Sequence, residues 1–121
     1  LLGGALRKGH RYLFGPLTMA ALETLHADLA VICPGAFVAN RGFMTDFPQM
    51  AEIKQAAIKA ATQSIALMDA SKLSARGTYC FAPLDAVDRI VVDHDEKGAL
   101  VDALLALPED AQRPQLMVAD R

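Results

Sequence analysis

Short apolar runs alternate with longer segments of helical periodicity, and this alternation most strongly limits the folds open to the chain. Runs of strand length occupy residues 29–33, 64–68, 78–82, 89–92 and 115–119. Helical spacing of apolar residues occupies about 16–26, 48–62 and 96–107. Strands that alternate with helices form βαβ units, whose strands pair in parallel. The sequence therefore predicts one α/β domain over residues 1–121, with a parallel-rich sheet flanked by helices.

Two of the apolar runs are predicted inside that sheet. Residues 29–33 and 64–68 are almost continuously apolar, which is typical of strands covered on both faces. We therefore expect neither run at an exposed edge or in a helix. Leu1-Leu2, before Gly3-Gly4, is interpreted as the tail of another strand, and residues 34–47 as a loop.

Local signals predict where the helices begin and which faces they bury. Pro16 falls in a first helical turn, where no amide donor is missed. Asp46, three residues before Gln49, resembles a capping box for the second helix, and Pro48 lies within its first turn. The first helix is expected to bury the apolar stripe Leu17, Ala21, Leu22 and Leu25.

The composition excludes several classes of protein. Hydrophobic residues make up 53% and charged residues 21%, so a core is possible and wholesale disorder is not expected. The longest apolar runs are too short to cross a bilayer, and no signal peptide is visible. A net charge of −2 argues against a domain that binds the phosphate backbone of DNA. Leu1 begins within an apolar stretch, which we interpret as a chain cut from a longer one.

Two features of the composition are local. Cys33 and Cys80 lie in apolar runs and are interpreted as small buried hydrophobes in a reducing cytoplasm. The dense basic stretch at residues 7–11 is either a solvated turn or a loop that faces an anion.

The most compact polar cluster is Asp69-Ala70-Ser71-Lys72, directly after a predicted strand. Ligands of open parallel sheets collect at the carboxyl ends of the strands. There, a lysine can bind a phosphate while an aspartate accepts from sugar hydroxyls or orients the lysine. The alternative is a turn in which Asp69 and Ser71 satisfy local backbone amides.

Lys54 and Glu52 form the second candidate pair. At 100° per residue, Lys54 falls on the apolar stripe of the second helix, and Glu52 faces nearly the opposite way. Lys54 either extends its ammonium to solvent or borders a polar pocket where it reaches an anionic ligand. Glycine-containing loops at 34–35 and 42–45 could also approach a ligand closely. The three histidines are scattered, and no metal-ligand spacing or nucleotide-binding glycine motif is present.

In order and spacing, these pieces resemble the sensor domain of DeoR-family transcriptional repressors. The resemblance covers about residues 1–93, through the stretches Leu2-Gly3-Gly4-Ala5-Leu6-Arg7, Gly15-Pro16, His26-Ala27-Asp28-Leu29-Ala30, Gly35, Gly42-Phe43-Met44-Thr45, Glu52-Ile53-Lys54, Asp69-Ala70-Ser71-Lys72 and Val91-Val92-Asp93. The family joins an N-terminal winged helix-turn-helix to a C-terminal domain that binds phosphorylated sugars. That domain resembles ribose-5-phosphate isomerase and glucosamine-6-phosphate deaminase.

The resemblance implies an effector site and no catalytic residue, cofactor or metal. It implies that Lys72 contacts the effector phosphate or a neighbouring hydroxyl. The other residues that it places in or beside the site are Gly4, Gly35, Thr45, Glu52, Lys54 and Asp69. It further implies a cytoplasmic homo-oligomer that contacts operator DNA only through an N-terminal module outside this sequence, and no membrane.

Two departures from the family pattern bear on the site. Met50 stands where family members often have a further glutamate. The family's Gly-Thr-Thr phosphate loop and the following Thr-Asn segment would precede Leu1, so the chain would hold only part of the sensor. A sugar-phosphate isomerase-like enzyme and an α/β interaction domain are the alternatives. The enzyme is disfavoured because residues 33–37 read Cys-Pro-Gly-Ala-Phe where the isomerases have an Asp-Gly-Ala-Asp strand end.

Overall fold

The structure, a computed structural model, describes residues 1–119. The strands are β1 Ala5–Arg7, β2 Tyr12–Phe14, β3 Ala27–Ile32, β4 Ala36–Val38, β5 Gly42–Thr45, β6 Ala61–Met68, β7 Tyr79–Ala82, β8 Arg89–Val92 and β9 Gln115–Val118. The helices are α1 Pro16–Thr24, α2 Pro48–Ala60 and α3 Ala99–Leu105, with short 3-10 turns at Ala70–Leu73 and Leu84–Ala86.

A four-stranded parallel sheet organises the fold. Its strand order is β3-β6-β8-β9, and each neighbouring pair runs parallel, with Ala66 opposite Ile90 and Val92 opposite Val118. The prediction of an α/β fold with a parallel sheet and helices is confirmed. The strand predicted at 64–68 is also confirmed as an inner strand, because β6 pairs with both β3 and β8.

The prediction that residues 29–33 form an inner strand is wrong within the described residues. β3 pairs only with β6 and forms one edge of the sheet. Its side chains alternate, so that Ala30 and Ile32 are buried while Leu29 and Val31 are 47% and 52% exposed. Leu67 of β6 is 43% exposed on the same face as these two. This face of the sheet is therefore apolar and largely uncovered in the described chain.

A second, antiparallel sheet lies where the sequence predicted a loop. β5 pairs with β4 and with β7, in the order β4-β5-β7. The turn between β4 and β5 ends at Gly42, which has a φ of +114°. β7 was correctly predicted as a strand, but it joins this second sheet. β1 and β2 form a separate hairpin, and residues 1–3 are not in a strand, so the predicted strand tail at Leu1-Leu2 is also wrong.

The core fills the space between the parallel sheet and the rest of the chain. Its largest fully buried side chains are Phe43, Val87, Ile90, Val92 and Leu100. They come from the antiparallel sheet, the segment just before β8, β8 itself and α3, so one apolar cluster joins the two sheets and the last helix. This burial on one face supplies the main driving force for folding.

Three further predictions, about burial and capping, are wrong within the described residues. Leu17 and Leu25 of the predicted α1 stripe are 69% and 50% exposed, and the buried residue of α1 is Thr18. α2 begins as predicted at Pro48, but its N-cap is Phe47 and no side chain caps it, so Asp46 forms no capping box. Cys33 and Cys80 are both exposed, so neither is the buried hydrophobe that was predicted.

Gly42 gives a direct test of this packing. A Cβ at Gly42 would lie 2.3 Å from the Ala82 carbonyl oxygen, and its φ strains any L-residue. We expect Gly42→Ala to lower the free energy of unfolding by roughly 2 kcal/mol or more. The matched control is Gly9→Ala, because a Cβ at Gly9 meets nothing within 4 Å. Urea denaturation of both variants measures the difference, and equal midpoints would contradict the close approach of β5 to β7.

Candidate functional site

Three strand ends meet at one edge of the parallel sheet. β3, β6 and β8 are neighbours and run in the same direction, so Cys33, Asp69 and Asp93 follow them at the same edge. The β4–β5 hairpin adjoins this edge, because the Gly35 backbone N–H donates to the Met44 carbonyl oxygen at 3.0 Å. This convergence of strand ends is the usual location of ligand sites in open parallel sheets.

Lys54 extends from α2 to the carboxyl end of β3. Its Nζ donates to the Cys33 carbonyl oxygen at 2.6 Å and lies 5.3 Å from the centroid of the Phe81 ring. Burial lowers the pKa of the Lys54 ammonium below its ordinary value of 10.5, and the charge of an ionised Cys33 opposes this change. A cation held against a carbonyl and an aromatic face is directed at the strand ends, which favours the pocket alternative over free extension into solvent.

The Asp69–Lys72 segment folds as a 3-10 turn at the end of β6. Asp69 is the N-cap, and its Oδ1 accepts from the backbone N–H of Ser71 at 2.9 Å and from the Ser71 hydroxyl. These two bonds, led by the hydroxyl, hold the pKa of the Asp69 carboxyl below its ordinary value, and the Lys72 charge adds to the lowering. Asp69 therefore does satisfy a local amide, and Lys72 lies near enough for its charge to act on that carboxylate.

Gly35 and Thr45 lie next to each other where the β4–β5 hairpin adjoins the strand ends. A Cβ at Gly35 would be 3.8 Å from the Thr45 Cα and 3.4 Å from the Met44 carbonyl oxygen. Thr45 is 5% exposed, and its Oγ1 accepts a long bond of 3.5 Å from the Phe47 backbone N–H. The structure thus brings five of the seven predicted effector residues to elements around the ends of β3 and β6, namely Gly35, Thr45, Lys54, Asp69 and Lys72.

Glu52 and Gly4 lie elsewhere in the fold. Glu52 lines an open groove of about 500 Å³ between α1 and α2, together with His26 and Lys59. Gly4 precedes the β1–β2 hairpin with a φ of +136°, and the Thr18 hydroxyl beside it donates to the Gly3 carbonyl oxygen at 2.6 Å. The opposed directions of Lys54 and Glu52, expected from helical periodicity, are reproduced by α2.

Sequence reasoning missed two members of this region. Phe81 supplies the ring beneath the Lys54 ammonium, and only the pairing of β7 with β5 brings it there. Asp93 directly follows the strand predicted at 89–92, but its contact with the turn after the neighbouring strand β6 was not anticipated, because that contact depends on the β6–β8 register. Among residues 1–119, no group of three or more His, Cys, Asp or Glu side chains is arranged to hold a metal ion. None of the helices in that range has the length and hydropathy to span a bilayer.

Comparison with known proteins places the chain in a family of sensor domains. The profile of the DeoR C terminal sensor domain family matches residues 1–94. The HTH-type transcriptional repressor GlcR of Bacillus subtilis is 34% identical over 104 residues, which are 86% of this chain and 40% of that protein. The HTH-type transcriptional regulator GlpR of Haloferax volcanii is 29% identical over 93 residues, which are 77% of this chain and 36% of that protein.

The chain spans well under half the length of either regulator. No solved structure matches it. The family match covers β1 to β8 and contains all seven predicted effector residues, because it extends from Leu1 through His94.

The environment of Lys54 predicts an unusual titration. We expect the Lys54 amine to titrate below 10.5, as followed by its 13Cε chemical shift in the folded chain. Because the unfolded chain then binds more protons, the contribution of Lys54 to stability rises with pH between the lowered folded pKa and 10.5. Lys54→Met, which removes the titrating group, should lose this rise. A Lys54 titration that coincides with that of the urea-unfolded chain would show that the ammonium is not desolvated.

Proposed function

The chain belongs to the DeoR C-terminal sensor domain family, and we propose that it binds a phosphorylated sugar as the effector of a transcriptional repressor. One observation carries this proposal: Lys54 and Lys72 lie on elements that meet at the carboxyl ends of the neighbouring strands β3 and β6. Two ammonium groups at adjacent strand ends suit a dianionic phosphate, since hydrogen bonds between charged groups are the strong ones.

Each residue of the proposed site has a distinct role. Lys72 contacts the phosphate or a neighbouring hydroxyl, and Lys54 supplies the second positive charge. Asp69 accepts from sugar hydroxyls with the lone pairs that Ser71 leaves available. Gly35 and Thr45 form the floor behind the lysines. Glu52 and Gly4 stay predictions from the family resemblance alone, because they lie on other parts of the fold.

A cavity of about 310 Å³ adjoins the Asp69–Lys72 turn. It is lined by Ala70, Leu73 and Ser74, by residues 94–97 and by Ala99. None of the seven proposed effector residues lines this cavity, and Asp95 and Glu96 bring carboxylates to it, so we do not assign the phosphate to it.

We propose binding without turnover. A sugar-phosphate isomerase needs a base positioned over the substrate's carbon-bound or hydroxyl proton. Here the strand end that carries carboxylates in the isomerases is Cys33-Pro34-Gly35, which has no carboxylate. The Asp69 carboxylate is committed in part to capping its own turn, because the Ser71 backbone N–H and hydroxyl both donate to it.

The wider context belongs to the same proposal. The names of the two regulators specify a helix-turn-helix, and each is more than twice as long as its aligned segment. We propose that residues 1–121 are the C-terminal part of a sensor with an isomerase-like fold, and that a separate N-terminal module reads operator DNA. The whole protein would then be a cytoplasmic homo-oligomer, since repressors of palindromic operators are usually symmetric.

Substitution of Lys72 tests the site. A charge-assisted contact is worth roughly 1.5–3 kcal/mol, so Lys72→Met should weaken effector binding by about 10- to 150-fold. The melting temperature should change little, because a half-exposed lysine contributes little to stability. A thermal-shift screen of sugar phosphates and their unphosphorylated sugars identifies the ligand, and calorimetry of the variants then gives the affinities.

Two further variants complete this test. Lys59→Met is the control, because Lys59 is an exposed lysine two residues before β6 begins, at the opposite end of that strand from the Asp69–Lys72 turn. Lys54→Met should cost less affinity than Lys72→Met. Parent-like binding by Lys72→Met together with lost binding by Lys54→Met would assign the phosphate to the other lysine.

The absence of turnover is tested separately. Ribose 5-phosphate and glucosamine 6-phosphate, incubated with the protein, should be converted no faster than in buffer, because residues 33–37 carry no carboxylate base. The measurement is product formation by NMR over hours. Conversion above the buffer rate that is abolished by Asp69→Asn would reinstate the enzyme alternative.

A further inference from the structure

The carboxylate of Asp93 links the end of β8 to the turn that carries Lys72. Its Oδ1 accepts from the Ala70 backbone N–H at 2.7 Å and from the His94 backbone N–H at 2.8 Å. Ala70 is the first residue of the 3-10 turn after β6, so this contact crosses from one strand end to the next. Hydrogen bonds from amides to a carboxylate are about twice as strong as neutral ones.

Asp93 and Asp69 together satisfy three consecutive amides of the turn. The Ala70 N–H donates to Asp93, the Ser71 N–H to the Asp69 side chain, and the Lys72 N–H to the Asp69 carbonyl oxygen at 3.1 Å. The two bonds to Asp69 are local and would form in any position of the turn. Among residues 1–119, the bond to Asp93 is the hydrogen bond that ties the turn to the neighbouring strand β8, while Leu73 of the turn packs against the core. The Asp93 bond therefore restrains the start of the turn that carries Lys72.

We propose that Asp93 is a positioning residue for the phosphate site, which sets anion affinity by orienting the turn that presents Lys72. The inference rests on the proposed function, and it adds a residue outside the seven effector residues. Asp93 itself is not proposed to contact the ligand. Its negative charge, taken alone, repels a phosphate, so any benefit to binding comes through geometry.

The negative charge of Asp93 should weaken phosphate binding, whereas its positioning of the turn should strengthen it. The two effects can therefore be separated by experiment. Asp93→Asn keeps an oxygen that can accept from Ala70 but removes the negative charge. If only charge matters, this variant binds phosphate more tightly than the parent protein. If positioning matters, the weakened bond lets the turn move and affinity falls, by about 3- to 10-fold for a neutral replacement of one charged bond.

Asp88 provides a matched control at the opposite end of the same strand. Its Oδ2 accepts from the Ser64 backbone N–H of β6 at 2.7 Å, and its Oδ1 accepts from the Gln112 side-chain amide at 2.7 Å. Asp88→Asn therefore weakens the same kind of bond between β8 and β6, far from the strand ends that carry the site. It should cost stability as Asp93→Asn does, with phosphate affinity within about twofold of the parent.

The experiment titrates inorganic phosphate into the 121-residue chain and its variants, with the backbone N–H shifts of Ser71 and Lys72 as the readout. Amide hydrogen exchange of Ala70 is measured without ligand as a second readout. We expect Asp93→Asn to weaken phosphate binding and to speed Ala70 exchange beyond its effect on global unfolding. Asp93→Ser, which keeps a small acceptor, should show the same two changes if the asparagine variant folds poorly.

Lys72→Met in the same titration distinguishes failure of the proposed phosphate site from failure of the positioning role of Asp93. If Lys72→Met loses affinity while Asp93→Asn binds as tightly as the parent or more tightly, the positioning role is overturned and the site stands. Equal losses in Asp93→Asn and Asp88→Asn would also overturn it, because they would reflect stability alone. If the parent and Lys72→Met are alike, including no binding by either, the proposed phosphate site fails and the inference fails with it.

Discussion

The parallel pairing of β6 with β3 on one side and β8 on the other is the constraint on which the rest of the structure depends. A parallel ladder sends every strand in the same direction, so the residues that follow the strands gather at one edge. Cys33, Asp69 and Asp93 are far apart in sequence and adjacent in space for this reason alone. The helices and the antiparallel sheet then add side chains to an edge whose position is already determined.

Burial on one face of this sheet explains how the antiparallel sheet contributes to the site. Phe43 and Phe81 of that sheet lie in the same apolar cluster as Ile90 of β8. The Phe81 ring is consequently held beneath the Lys54 ammonium, and the pKa of that ammonium falls because the surrounding side chains exclude water. The core packing that joins the two sheets therefore also determines the electrostatic environment of Lys54 at the strand ends.

The sequence was most informative where a pattern reports on local geometry. Periodicity placed Lys54 and Glu52 on opposite faces of α2, and the apolar run at 64–68 identified the inner strand β6. The sequence patterns were misleading where the outcome depends on which strands pair. The run at 29–33 looks like that of an inner strand, yet β3 is an edge in the described chain. β4 has three residues and β5 four, too few to show a period, so the β4–β5 hairpin was predicted as a loop. The link between Asp93 and Ala70 depends on a register that no local pattern encodes.

The uncovered face of the parallel sheet has a consequence for the solution behaviour of this chain. Within residues 1–119, Leu29, Val31 and Leu67 present an exposed apolar surface beside the β3 edge, which pairs with no further strand of that range. Such surfaces attract one another, and a net charge of only −2 provides little mutual repulsion between molecules. The colloidal stability of the purified chain should therefore decrease as salt or protein concentration rises. Detergent or arginine in the buffer would cover this apolar surface and counteract the loss of colloidal stability. The site at the strand ends would stay accessible to small solutes.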